Sequence, residues 1–358
     1  MIRILLFFNL ILFINFNSYC QVKDVVTNLS SPRGLVINDD KLYISEAGTG
    51  KVLEFDLNTE NTIDFATSVI VPVGLLRRGN NLLIAENNGF KISKKELTVS
   101  QTTAVDFVTF PRSFVEPWGI ALSEDQNTLY ISEVQGRIYK ADLTQTNPIA
   151  ELIWTNEQGT TIDLALNGND LYISESESRI SGLSSRILKI DITSENPTPI
   201  DVVTDLYFPT GLEIVGTELF FTDCNELANG TDMLKKINLT ENNPEVITIL
   251  DNLYFPTYLT HSNSELYISQ ENKVSKISLA TLGIDELNIG VDFKIYPNPT
   301  SDFINLTNIN LKGEFEIFDM LGNRVSNGNL IKKIDVKNLS SGTYFLKIEQ
   351  TINRFVKK

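Results

Sequence analysis

Six acidic or amide side chains recur in one local setting. Glu46, Glu86, Glu133, Glu175, Asp223 and Gln270 each close a short apolar run, Leu42-Tyr-Ile-Ser-Glu46 in the first instance and Leu266-Tyr-Ile-Ser-Gln270 in the last. Successive members lie 40, 47, 42, 48 and 47 residues apart. Carboxylates gathered by a repeat could share a hard cation, which takes oxygen ligands. Under that reading Glu133, Glu175 and Asp223 are the metal-ligating candidates and calcium the cation, with Glu177, Glu226 and Asp232 close by in sequence. The competing reading is structural: a carboxylate at a strand end accepts N–H groups from the glycine-containing turn that follows it. Repetition favours the structural role, because a binding site draws different residues from different copies.

Other reactive side chains are few. His261 is the only histidine, and its expected place is a turn between two strands, away from the acids. Cys224 follows Asp223, where neighbouring acids raise a thiol's pKa and keep it unreactive. No glycine-rich phosphate loop, zinc-ligand spacing or serine-nucleophile elbow occurs.

The elements that carry these residues form a repeat of 40 to 48 residues, the period of a propeller blade. A proline-glycine motif opens most copies: Pro32-Arg-Gly-Leu35, Pro72-Val-Gly-Leu75, Pro117-Trp-Gly-Ile120 and Pro209-Thr-Gly-Leu212. It decays to Thr161-Ile-Asp-Leu164 and Pro256-Thr-Tyr-Leu259 in the fourth and sixth copies. After the Leu-Tyr-Ile-Ser-Glu strand comes an alternating strand such as Lys51-Val-Leu-Glu-Phe-Asp-Leu57, whose Asp suits a side-chain-stabilised turn. A fourth strand completes each copy except the last. Lys23-Asp-Val-Val-Thr-Asn-Leu29 reads like Ile200-Asp-Val-Val-Thr-Asp-Leu206, so the N-terminus is expected to supply the missing strand and close a six-bladed propeller, leaving no open edge.

Over residues 22–280 these motifs resemble the NHL-repeat and regucalcin/gluconolactonase-like group of six-bladed propellers. In that group a divalent cation sits at the mouth of the central channel, with ligands just before the opening glycine in particular blades. The matching positions here are Arg33, Val73, Trp118, Ile162, Thr210 and Thr257, none a carboxylate or amide, so the resemblance does not extend to the cage. Arg33, Trp118 and Arg179 instead offer a charged and aromatic floor at the mouth for an anionic, sugar-like or peptide ligand, with Thr210 and Thr257 beside them. The turns after Glu175 and Asp223 are expanded, and long loops on a rigid scaffold are where binding tends to sit.

The repeat stops after Leu279. Residues 281–292 read as a linker, and residues 293–358 resemble the C-terminal sorting domain of type IX secretion cargo in Bacteroidota. The carrying signatures are Tyr296-Pro297-Asn298-Pro299, the Leu-Gly322-Asn turn, the Ser-Gly342 turn and the basic end Lys357-Lys358. The resemblance implies a small immunoglobulin-like β-sandwich read by the outer-membrane translocon and removed on arrival. At the other end, residues 1–20 have one basic residue, an apolar middle and small residues, Ser18 and Cys20, three and one before the expected cut after Cys20, a secretory signal peptide; cleavage leaves no stable membrane insertion.

Charge is divided unevenly. Of the net −15, residues 21–292 carry −20 and residues 293–358 carry +4. An acidic body disfavours nucleic acid and anionic membranes as partners. The expectation is an all-β, exported protein that crosses the outer membrane via the periplasm and binds a ligand or surface protein there, with no cofactor required. The alternative is a metal-dependent hydrolase of the lactonase/esterase type.

Overall fold

The computed structural model describes residues 22–99, 103–156, 159–177, 185–225, 232–262, 264–282, 294–307, 314–319, 323–329, 331–348 and 351–358. The proposed signal peptide and most of the linker therefore lie outside the described residues.

Strands dominate because the sequence alternates and the turns are rich in Asn, Asp and Gly. They build six four-stranded antiparallel sheets in the body. Sheets one to five cover residues 32–67, 72–108, 117–155, 159–206 and 209–253. Sheet six joins residues 259–278 to the N-terminal strand Lys23–Thr27, which pairs with Lys273–Ser278, Lys23 opposite Lys276. The expected loan of a strand from the N-terminus is thus seen as a pairing.

The recurring apolar run is the second strand of each sheet, and it is covered on both faces. Leu42, Ile44, Leu129, Ile131, Leu171 and Ile173 are all fully buried, which is why this strand reads as continuous apolar residues while the third alternates. Six apolar clusters fill the spaces between successive sheets. Val36, Tyr43 and Val52 of sheet one pack on Leu75 and Ile84 of sheet two, and the series runs through the others to Tyr267 and Val274 of sheet six, which pack on Leu35 and Ile44 of sheet one. Each fully buried Leu or Ile contributes about 1.5–3 kcal/mol. The first strands also touch one another in order, and Leu259–His261 of sheet six touches the first strand of sheet one. The arrangement is propeller-like, with the first strands around the middle.

The opening motif is a β-bulge. Pairing between first and second strands shifts between Pro32 and Leu35, Pro72 and Leu75, Pro117 and Ile120, Thr161 and Leu164, and Pro209 and Leu212. One residue of the motif is extra, so that two motif residues face one of the partner strand, and a bulge re-aims their side chains. The glycine among them is demanded by proximity: a Cβ on Gly34 would stand 2.3 Å from Val73 O, and one on Gly74 2.4 Å from Trp118 O. The turns after the third strands are closed as expected, Asp56 Oδ1 accepting the Asn58 and Thr59 amides at 2.9 Å.

The tail is a separate pair of sheets. One runs Lys294–Tyr296, Phe303–Thr307, Lys333–Asp335; the other Arg324–Asn329, Glu314–Phe318, Gly342–Ile348, Thr351–Lys357. Ile304, Ile317, Ile334, Leu346 and Phe355 form its core. No helix among the described residues is long and apolar enough to cross a membrane.

Candidate ligand-binding site

The recurring acids act as staples within the body. Glu46 Oε1 accepts the Ser30 amide at 2.8 Å and Glu86 Oε2 the Ile70 amide at 2.8 Å; Asp223 Oδ1 accepts those of Tyr207 and Phe208 at 2.9 Å; Gln270 Oε1 accepts that of Tyr254 at 3.0 Å. Each tethers the loop just before its own sheet's opening proline. The sequence reading placed the partner amides in the following turn, and for these four residues the structure corrects it: they come from the preceding loop, which the bulge folds back over the strand end.

Glu133 and Glu175 differ. Glu133 Oε2 pairs with Arg137 at 3.0 Å, while its buried Oε1 has no partner among the described residues. Glu175 accepts from Asn156 at 2.6 Å and from Arg186 Nε at 2.7 Å, and Asp223 also pairs with Lys235 at 2.7 Å. Among the described residues no three of His, Cys, Asp and Glu stand close enough to hold one ion. The serines before these acids, to which the sequence reading gave no role, join sheets. Ser174 Oγ accepts the Asp163 amide at 2.9 Å and donates to Thr210 O of the next sheet at 2.7 Å. Ser132 does the same with Gly119 and Ile162. Their place directly before the recurring acid or amide, repeated by Ser45, Thr222 and Ser269, was the available signal.

The bulge side chains do converge. Arg33, Trp118, Thr210 and Thr257 line one cavity of about 270 Å³, together with Ile162, Phe208, Phe255 and Cys224. Arg179 lies outside the described residues. The Arg33 guanidinium carbon is 5.9 Å from the Trp118 ring centroid, a cation–π separation. Among the described residues Arg33 has neither a hydrogen bond nor an ion pair, and burial pulls its pKa below the usual arginine value, though the group stays charged.

Three further polar side chains of the wall, Thr210, Thr257 and Cys224, are engaged with protein atoms, while Thr160 also lines it. Thr210 Oγ1 donates to Pro256 O at 2.9 Å and lies 2.6 Å from Thr222 Oγ1; Thr257 Oγ1 lies 2.9 Å from Ser269 Oγ and 3.3 Å from Pro32 O, bonding sheet six to sheet one. The Cys224 thiol donates to Pro256 O at 3.0 Å. Burial, then the charge of Asp232, push its pKa up to about 12, so it is inert, burial being the larger cause rather than its sequence neighbours. Among the described residues the walls are mainly apolar, with Arg33 as their one charge.

Below this layer the glycine ring is broken twice, by Asp163 and Tyr258, which line a recess of about 370 Å³. Asp163 Oδ2 accepts the Leu212 amide at 2.9 Å, and burial raises its pKa to about 7. The buried Tyr258 hydroxyl has no partner among the described residues. His261, expected in an exposed turn, instead ends a strand with Nδ1 2.6 Å from Glu213 Oε1. Burial opposes its charged form, but the carboxylate prevails and holds the pKa above the ordinary value.

In the tail, Asn298 Oδ1 accepts the Val356 amide at 2.9 Å, between the cis bonds Tyr296–Pro297 and Asn298–Pro299. The Lys358 amide donates to Thr300 O at 2.8 Å, and Lys357 is nearly buried. The Tyr-Pro-Asn-Pro segment and the basic end are therefore stitched together. Gly342 opens the strand Gly342–Ile348; Gly322 lies outside the described residues.

These features define an exported, all-β protein with a propeller-like body and a sorting tail. Residues 294–358 match the family model described as the secretion system C-terminal sorting domain, and the tail is a type IX sorting tail. No curated protein matches the chain. Among solved structures, a gluconolactonase of Xanthomonas campestris is similar with TM-score 0.58 and 10% identity over 72% of this chain and 89% of that one. A protein of unknown function from Bacteroides thetaiotaomicron gives 0.57 and 10% over 72% of both chains, and a streptogramin B lyase 0.50 and 15% over 73% and 97%. At such identities the likeness shows the fold alone.

Proposed function

We propose that this chain is type IX cargo whose body, a closed six-bladed propeller over residues 21–280, binds a ligand at the cell surface or outside the cell. The tail from 293 is read as an immunoglobulin-like sandwich joined by a linker at 281–292, and residues 1–20 as the signal peptide. The six clusters between successive sheets and the pairing of Lys23 with Lys276 support a closed ring.

The observation that carries the binding function is Arg33, a charge without a partner among the described residues, held against Trp118 in an otherwise apolar cavity. Arg33 is partly buried; a guanidinium partly withdrawn from water without a counter-charge carries a desolvation cost, which a bound anion would offset. Arg33, Trp118, Thr210 and Thr257 form the site, Arg33 for recognition and the others for shape.

A metal-dependent lactonase or esterase is the second reading, and it rests on the free Oε1 of Glu133. A calcium ion there would need Glu175 and Asp223 to leave their cationic partners.

One experiment separates the two. With Trp154→Phe leaving Trp118 as the single tryptophan, a metabolite library is screened by Trp118 fluorescence, alongside metal analysis and lactone turnover. Ligand-induced changes without turnover support binding. Stoichiometric calcium that disappears in Glu133→Gln, with lactone hydrolysis, overturns it.

A further inference from the structure

The chemistry of the cavity goes further than the fact of a site. We infer that its ligand is a ring-bearing monocarboxylate of about ten to thirteen non-hydrogen atoms, carboxylate on Arg33 and ring against Trp118. The inference rests on the binding reading above and narrows it to one chemical class.

Charge fixes one end. The body is strongly acidic, and its other lysines and arginines commonly find carboxylates: Lys41 with Asp56, Arg137 with Glu133, Arg186 with Glu175, Lys235 with Asp223. Arg33 finds none among the described residues. Its fork of donors matches a carboxylate bidentately, and Trp118 covers it at 5.9 Å, favouring a planar group beside it.

The walls fix the rest. Thr210, Thr257 and Cys224 already bond to protein atoms, so among the described residues Arg33, Trp118 and Thr160 are left to meet the hydroxyls of a sugar acid, too few for a polyol, which would leave hydrogen bonds unmade. Among the described residues a second negative charge would have no counterpart in the cavity wall. Phe208 and Phe255 complete an apolar chamber. A cavity of about 150 Å³ holds benzene, so one of about 270 Å³ holds nearly twice that.

The test is calorimetric titration of the purified protein with 3-phenylpropanoate, 3-phenylpropan-1-ol and D-gluconate. The acid should bind at least tenfold more tightly than the alcohol, and gluconate should not bind. Arg33→Met, which keeps the aliphatic stem, should abolish the preference for acid over alcohol; Arg33→Lys should retain part of it, which a merely structural loss would not allow. Equal affinity for acid and alcohol, tighter binding of gluconate, or no binding of the acid overturns the inference. The Trp118 fluorescence screen then tells whether the cavity binds some other class, so the ligand class can fail while the binding site stands.

Discussion

Glu46 accepts a hydrogen bond from the backbone N–H of Ser30, sixteen residues upstream, at 2.8 Å, and Glu86, Asp223 and Gln270 repeat the bond at the same separation with Ile70, Tyr207 and Tyr254. The accepting side chain is buried in each case. It holds the loop through which one sheet passes to the next, and so sets where the bulge side chains point.

Glu46→Ala should therefore destabilise the body by about 0.5–1.5 kcal/mol, the net worth of a typical hydrogen bond at this part-buried site, while Glu46→Gln should lose less because its oxygen still accepts. Denaturant unfolding of both variants measures this. Equal and negligible effects would remove the staple from the account.

Gly34 offers a second, sharper test. A methyl at this position meets the Val73 carbonyl at 2.3 Å, whereas Gly79 has φ +54 and nothing within 4 Å of the added carbon. Gly34→Ala should cost about 3 kcal/mol or more through overpacking against backbone, and Gly79→Ala about 1 kcal/mol from its left-handed conformation alone. A reversed order in thermal unfolding would contradict the packing of successive sheets.

Asp163 should give stability a pH dependence of unusual sign. Its pKa is about 7 folded and near 4 unfolded, so the folded state holds the proton more firmly. The stability this group contributes is fully present below about pH 4 and is lost as pH rises to about 7. Asp163→Asn should flatten that slope, gaining on the native protein by about 1–3 kcal/mol above pH 7 and by progressively less towards pH 4. A parallel pH profile for the two proteins would show that Asp163 does not titrate in this window.

The tail predicts a change of location. Deleting residues 293–358 should leave a folded body in the periplasm, detected by fractionation, because every strand of the ring lies before residue 279. Normal export of the truncated protein would refute the sorting role.

Much of this was readable beforehand. The repeat period and alternation gave the sheets, and the residue before each opening glycine led to Arg33, Trp118, Thr210 and Thr257, which the fold does assemble. The partners of the acids were not readable, because a contact sixteen residues back depends on a bulge that no single residue marks. Ser132 and Ser174 were missed for a related reason: their bonds run to the next sheet, some 30 residues ahead. His261 was misplaced because its partner, Glu213, is 48 residues away.

The strand Lys23–Thr27 is made early and satisfied late. Ser275 Oγ donates to Asp24 at 2.8 Å across 251 positions of sequence, so the first strand of the body to emerge waits for the last sheet before it has a neighbour. Contacts of such long range slow folding, and until they form, Lys273–Ser278 keeps one row of amides and carbonyls open to any passing strand. The interval between the emergence of Lys23–Thr27 and its pairing with Lys273–Ser278 is then the period in which this protein most needs protection from its own copies.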